Sequence, residues 1–378
     1  MQQLFRCHAG FRQILFATNE LLRSLNLNTK VVFIVLRLQQ LNDWLNTVLD
    51  DAAFSLMPAS ADASFRHYFR VTLDNHTLIA MDAPPSQESC TPFVHAAEVF
   101  ANAGLNVPHV LKQDLEQGFL LLTDLGDATF LNALNQSTTS GEPNNKTVGN
   151  KTAGDLYRDA CVALVKLQSA SKKGVFPAYD EALLMREMQM FPDWYIAKHL
   201  QLELDDVQKK VLSDTFAILN QNILAQAQVY VHRDYHSRNL MVCTDNPGIL
   251  DFQDAVYGAI TYDLVSLLKD AYIYWDEEQV IDWTVRYWQA AKKADLPIPQ
   301  DFSEFYRDFE WTGAQRHLKI LGIFARLYYR DGKDGYLKDM PLVMDYLRRV
   351  CARYIELRPL LRLLNELEGK SPQVGYTF

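Results

Sequence analysis

One short stretch of the chain holds the side chains that phosphoryl transfer needs. Residues 229–239 read Val-Tyr-Val-His232-Arg233-Asp234-Tyr235-His236-Ser237-Arg238-Asn239; Leu-Met-Val follows and, past a turn, Gly-Ile-Leu-Asp251-Phe252-Gln253-Asp254. A phosphoryl group in flight is stabilised by positioning and charge neutralisation rather than by a covalent partner. Asp234 is placed to orient an attacking hydroxyl and accept its proton, which leaves late, as the phosphoryl group arrives. Asn239 offers an amide oxygen and Asp251 a carboxylate, the hard oxygen ligands that Mg²⁺ prefers beside the phosphates of ATP. His232 shapes the loop rather than moving protons. The competing explanation is a polar turn between two strands that fits by chance. Three fixed residues in the loop, and a second Asp followed by Phe at the right remove, argue against it.

These side chains need elements to bring them together. Leu240–Cys243 and Gly248–Leu250 are short apolar runs joined by Thr244-Asp245-Asn246-Pro247, a hairpin that carries Asn239 and Asp251 back toward one another. His-Arg-Asp-x-x-x-x-Asn followed by Asp-Phe is the catalytic-loop and metal-binding pattern of the protein kinases. Upstream, His67–Leu73 and Thr77–Met81 flank Asp74-Asn75 as one hairpin, and Val110-Leu111 and Phe119–Thr123 flank Glu116-Gln117-Gly118 as a second. Between them Thr91 caps, and Pro92 opens, a helix that Gly104 ends. Leu38, Leu41, Trp44, Leu45, Val48 and Leu49 fall on one helical face, so the first lobe is expected to begin there. Residues 1–35 read as an extension, either an extra helix or sequence translated ahead of the true start. Residues 135–154, rich in Asn, Ser, Thr, Gly and Lys, read as a flexible insertion. Beyond them the pattern is mainly helical, over 261–273, 303–330 and 342–366. The expected fold is α+β and protein-kinase-like: a small mixed β-sheet lobe over 36–122, a hinge at 123–126 and a large helical lobe over 127–378.

The composition agrees. A chain of 378 residues, 48% hydrophobic and 22% charged, can bury the core of a two-lobed protein. Its net charge of −9 argues against a nucleic-acid partner, which needs a basic face. Five scattered cysteines suit a reducing compartment, and no run approaches the length of a membrane span, so a cytoplasmic place without membrane attachment is expected.

His236, two residues after Asp234, makes the loop resemble that of the aminoglycoside phosphotransferase and choline kinase superfamily. Further segments are similar to one branch of it, the bacterial anomeric kinases of N-acetylmuramate and N-acetylglucosamine in cell-wall recycling. They are 63–70, Met81-Asp82-Ala83-Pro84-Pro85, Thr123-Asp124-Leu125-Gly126, Gln315-Arg316-His317-Leu318-Lys319 and Gly322-Ile323-Phe324-Ala325-Arg326. The resemblance implies a protein-kinase-like fold, ATP and Mg²⁺ as cofactors, and an amino sugar phosphorylated at C1 during peptidoglycan recycling.

The chain departs from a protein kinase in two places. It lacks a Gly-x-Gly-x-x-Gly loop, and the strand Thr77–Asp82 lacks the usual lysine. Ser64, Phe65 and Arg66 therefore stand as the phosphate-covering loop, with Arg66, or else Arg70, as the phosphate-facing cation. Glu98 is a possible partner for that cation or an ordinary solvated helix residue. Leu122, Asp124 and Leu125 stand as the adenine contact. For the acceptor, Trp194 in Phe191-Pro192-Asp193-Trp194-Tyr195 is either a sugar platform or part of an aromatic core. Arg316 heads a stripe with Lys319, Arg326 and Arg330, which either faces the loop and clamps an acidic acceptor or lies solvated. His236 and Asp254 are close enough to the loop in sequence to touch the acceptor, and Asp263 reads as a helix cap. The alternatives are another small-molecule kinase of the superfamily, acting on an aminoglycoside, choline or an amino alcohol, and a nucleotide-binding protein without turnover. A cationic acceptor would need an acidic pocket, whereas the stretch 311–333 is basic.

Overall fold

A computed structural model describes residues 29–60, 66–136, 147–148 and 151–369. The chain divides into two units, one built from residues up to Thr91 with Val110–Asp124, the other from Pro92–His109 with everything from Leu125 onward.

In the first unit, helix α1 (Thr29–Val48) lies on a five-stranded antiparallel sheet of β1 (Ser55–Ser60), β2 (His67–Thr72), β3 (Thr77–Asp82), β4 (Val110–Asp114) and β5 (Phe119–Thr123), in the order β1-β2-β3-β5-β4. Alternation along the strands decides the two faces. Val71, Leu78, Ala80, Phe119 and Leu121 point toward α1 and pack with its buried Leu41 and Leu45. Each fully buried leucine contributes about 1.5–3 kcal/mol. Asp82 shares that face and is neutralised by Arg37 of α1, whose guanidinium also lies 4.4 Å over Phe119. The register turns Tyr68, Arg70, Ile79, Met81, Leu120 and Leu122 to the other face. Both expected hairpins are present. Helix α1 starts before Leu38, so part of the expected extension is helical; residues 1–28 lie outside the described residues.

The second unit begins at Pro92 in α2 (Thr91–Asn102), a helix that the sequence alone places in the small lobe. Its apolar face explains the difference: Phe93 and Phe100 pack on Phe252 at 4.9 and 5.6 Å, and Phe100 meets Phe176 at 6.0 Å. Then come α3 (Phe130–Gln136), the strand pair β6 (Thr147–Val148) and β7 (Lys151–Thr152), α4 (Ala153–Ser169) and α5 (Glu181–Met188). Of the expected flexible insertion, residues 137–146 and 149–150 lie outside the described residues. Its last part is ordered, because Thr152 and Asp155 close a reciprocal capping box at the start of α4. A π-helical run follows (Phe191–Leu200), then α6 (Asp206–Ala225), β8 (Gln228–Val231), β9 (Leu240–Met241), β10 (Gly248–Ile249) and β11 (Val256–Ala259). Strand β8 pairs with β11, and β9 with β10. Helices α7 (Tyr262–Leu268), α8 (Glu277–Lys293), α9 (Phe302–Tyr329), α10 (Met340–Arg353) and α11 (Arg358–Leu367) complete the unit.

Helix α9 is the axis of this unit and is buried through most of its length. It approaches the chain at Met190 so closely that a Cβ on Gly322 would stand 2.4 Å from Met190 backbone atoms. No disulfide joins the described cysteines; Cys161 on α4 and Cys351 on α10 are buried. Among the described residues no helix is long and apolar enough to cross a membrane.

Candidate active site

The candidate loop, residues 232–239, leaves β8 and returns through the β9–β10 hairpin, all within the second unit. Buried carboxylates hold it at both ends. Asp263, fully buried in the first turn of α7, accepts the backbone N–H groups of His232 (2.6 Å) and Arg233 (3.0 Å). Asp263 is thus not the helix cap that the sequence suggests; it fixes the loop, with Arg233 in a left-handed conformation at φ 77°. Asp270, just past α7, accepts the backbone N–H of Ser237 at 2.9 Å and its hydroxyl at 2.5 Å. The His232 ring spans the loop: Nε2 donates to Leu250 O (2.9 Å) and Nδ1 accepts from Asp234 N (3.2 Å). Burial pushes its pKa down to about 4, so it is a neutral strut, as expected for a residue that shapes the loop.

The hairpin brings Asn239 and Asp251 together. It is braced by Ile249 N–H to Asn106 O (2.8 Å) and Val242 N–H to Ala128 O (2.8 Å). Asn239 donates its amide hydrogens to Asp234 O (3.0 Å) and Asp251 Oδ2 (3.2 Å), which leaves its amide oxygen as an acceptor. Gln253 donates to the other Asp251 oxygen at 2.8 Å. Asp251 has φ 64°, a left-handed geometry held by this surrounding frame.

The Asp234 side chain remains 39% exposed. Burial works against its ionisation, but Lys319, Arg316, His236 and Arg233 outweigh it and hold the carboxyl well below the usual range. Arg316 donates to Arg233 O (2.7 Å), with its other nitrogen 3.7 Å from Asp234. Glu187, buried on α5, takes Lys319 at 3.0 Å and pairs with Arg233. Tyr179 donates to Glu187, and Tyr262 meets Tyr179 (3.1 Å) and Lys319 (3.2 Å) through its hydroxyl. The basic stripe therefore does face the loop at Arg316 and Lys319. Both are buried and already engaged, which removes Arg316 from the part of a free clamp; further along, Arg330 is exposed and paired with Asp331. His236 is half-buried, its ring edge-on to Tyr272 at 5.5 Å.

The remaining expected residues are scattered. Asp254 is exposed beside the loop, and Trp194 is half-buried against the helical core. In the first unit Arg66 is buried and pairs with Glu88, while Glu98 is exposed on α2. Arg70 grips Asp124 through two bonds of 2.6 and 3.1 Å, on the sheet face that carries Leu122. Leu125 opens the second unit, its carbonyl 3.3 Å from the Cys243 sulfur. Ser64 and Phe65 lie outside the described residues. Sequence reasoning missed Glu187 and Asp270, and misassigned Asp263. Their only sequence signal is an acid in an otherwise apolar helical stretch.

A five-stranded sheet unit, a helical unit and this loop define a protein-kinase-like phosphotransferase. The pattern of the phosphotransferase enzyme family (APH) matches residues 55–302, and the chain belongs to that family. It is 49% identical over 341 residues to an N-acetylmuramate/N-acetylglucosamine kinase of Neisseria meningitidis, covering 90% of this chain and 98% of that one. A protein of the same name from Pseudomonas aeruginosa is 46% identical, over 89% of this chain and 97% of the relative. Among solved structures, an ethanolamine kinase of Plasmodium vivax superposes with a TM-score of 0.58 at 10% identity, over 88% of this chain and 93% of that one. The ADP-bound aminoglycoside phosphotransferase APH(2'')-Ib gives 0.54 at 14%, over 82% and 98%. Likeness this distant shows the fold alone.

Proposed function

We propose that the protein uses ATP to phosphorylate the anomeric hydroxyl of N-acetylmuramate and N-acetylglucosamine, a step of peptidoglycan recycling carried out in the cytoplasm. The observation that carries this reading is the ionised Asp234, tied through Asn239 to Asp251, in a chain nearly half identical to kinases named for those sugars. Asp234 receives the hydroxyl as a hydrogen-bond acceptor and takes up its proton as the phosphoryl group arrives. A hemiacetal hydroxyl suits so weak a base, because the ring oxygen makes it more acidic than an ordinary alcohol. Asn239 and Asp251 fit Mg²⁺: an amide oxygen and a carboxylate are hard donors, held together here by the Asn239–Asp251 hydrogen bond. The ion would neutralise charge on the phosphates. Arg66 and Arg70 are the nearest replacements for the missing strand lysine; each is paired with an acid in the first unit, so a phosphate would have to compete with Glu88 or Asp124.

A kinase for an aminoglycoside or an amino alcohol is the second reading, favoured only by the fold. The cations around Asp234 oppose it, since a positively charged acceptor would meet Arg316 and Lys319 there. The test is ATP consumption over a panel of amino sugars, aminoglycosides and choline, with the phosphorylated position read by NMR. Product at C1 of the N-acetylated sugars is expected. Asp234→Asn is expected to lose about 10²- to 10⁴-fold in kcat while still binding nucleotide. Product at the 6-hydroxyl, or turnover of choline instead, would refute the assignment.

A further inference from the structure

Around Asp234 most basic side chains are already spent. Arg233 and Lys319 share Glu187, and Arg316 is tied to the loop backbone. Arg238, four residues past Asp234 and next to Asn239, differs: among the described residues it makes no hydrogen bond or ion pair. Its guanidinium lies 3.6 Å over the ring of Tyr272 and 5.6 Å from that of Tyr336. Tyr272 is itself fixed between His236, edge-on at 5.5 Å, and Phe324 at 6.1 Å. Asp339 is half-buried and feels the charge of Arg238, yet forms no ion pair with it. The arginine is thus held over an aromatic ring with its N–H donors uncommitted among the described residues. Its aromatic support also borders the catalytic loop, because Tyr272 meets the ring of His236, two residues past Asp234 in that loop, and the charges of both Arg238 and Asp234 act on Tyr272. A planar fork pre-ordered on a ring loses little freedom when it takes a carboxylate bidentately.

We propose that Arg238 is the acceptor-side carboxylate receptor: it binds the lactyl carboxylate of N-acetylmuramate while the anomeric hydroxyl meets Asp234, and so sets the preference between this acidic sugar and neutral N-acetylglucosamine. The inference rests on the sugar-kinase reading above. It moves to Arg238 the task that sequence alone had given to Arg316.

The experiment measures kcat/KM for both sugars with the wild-type chain, Arg238→Lys, Arg238→Met and Arg326→Met. Arg326 is the comparison because it also lacks an ion pair among the described residues, its guanidinium lying 3.9 Å from the Met190 sulfur. Arg238→Met is expected to lower kcat/KM for N-acetylmuramate about 10- to 100-fold, mostly through KM, and to leave N-acetylglucosamine within about threefold. Arg238→Lys should fall between, keeping charge without the fork. Equal losses for both sugars would mean that Arg238 only props the loop. An unchanged preference, or one that shifts in Arg326→Met instead, would also overturn the proposal. Calorimetric binding of N-acetylmuramate separates this from the kinase reading. If the wild type binds the sugar without turning it over, the kinase reading fails, and weaker binding by Arg238→Met still supports the receptor. Equal binding by the two, or none by the wild type, refutes it.

Discussion

Asp234 stays ionised because positive charge is stationed around it. Lys319 acts first among these cations, then Arg316. Replacing Lys319 by Met removes one attraction while burial persists, so the carboxyl pKa must rise. A group with a depressed pKa is lost to protonation only at low pH. The acid limb of kcat/KM for N-acetylglucosamine should therefore lie below the ordinary carboxylate value of about 4 in the wild type and move up in Lys319→Met. An unmoved limb would show that Lys319 does not tune this residue. At this scale the reacting groups were readable from sequence, since chemistry dictates their types and local geometry their spacing. The groups that hold them were not: Asp263 reaches back 31 residues to His232, and Glu187 forward 46 to Arg233. No local pattern reports such distant pairings.

Helix α9 shows how an element places a site. It contributes Arg316 and Lys319 only because Gly322, about one turn further on, lets the helix lie against Met190. Gly322→Ala forces a methyl into backbone atoms and should destabilise the protein by about 1–3 kcal/mol, read as a lower urea midpoint with an unchanged slope. A stability within a few tenths of a kcal/mol of wild type would mean that the contact yields freely. Periodicity made α9 and both hairpins of the first unit legible. Strand β1 was not, because Pro58 interrupts its pattern; it is tolerated there because β1 is an edge strand, where a missing donor costs little. Helix α2 was legible as a helix and misplaced as a neighbour, since its aromatic face says only that it must be covered.

For the whole molecule, the buried ionisable groups make stability depend on pH. Burial pushes His232 down to about 4 and His317 down to about 3, from an ordinary 6.5. As pH falls below about 6.5 the unfolded chain protonates these imidazoles and the folded one does not, so stability is lost. Burial pushes Asp263 up to about 7, which has the opposite sign: the folded state holds the extra proton, and its contribution fades as pH rises. Among these three groups the two histidines outweigh the one carboxyl and leave a net loss on acidification. His317→Gln should flatten the unfolding free energy measured between about pH 7 and about pH 5; a slope as steep as wild type would show that His317 does not titrate this way. The buried thiols have a consequence of another kind. Burial raises Cys161 and Cys351 to about 12, so neither is a reachable thiolate while its helix stays packed. An alkylating reagent can attack them only during excursions that open α4 or α10. The two sulfurs are therefore built-in clocks, and comparing their rates of modification tells whether the helical unit opens piecemeal or all at once.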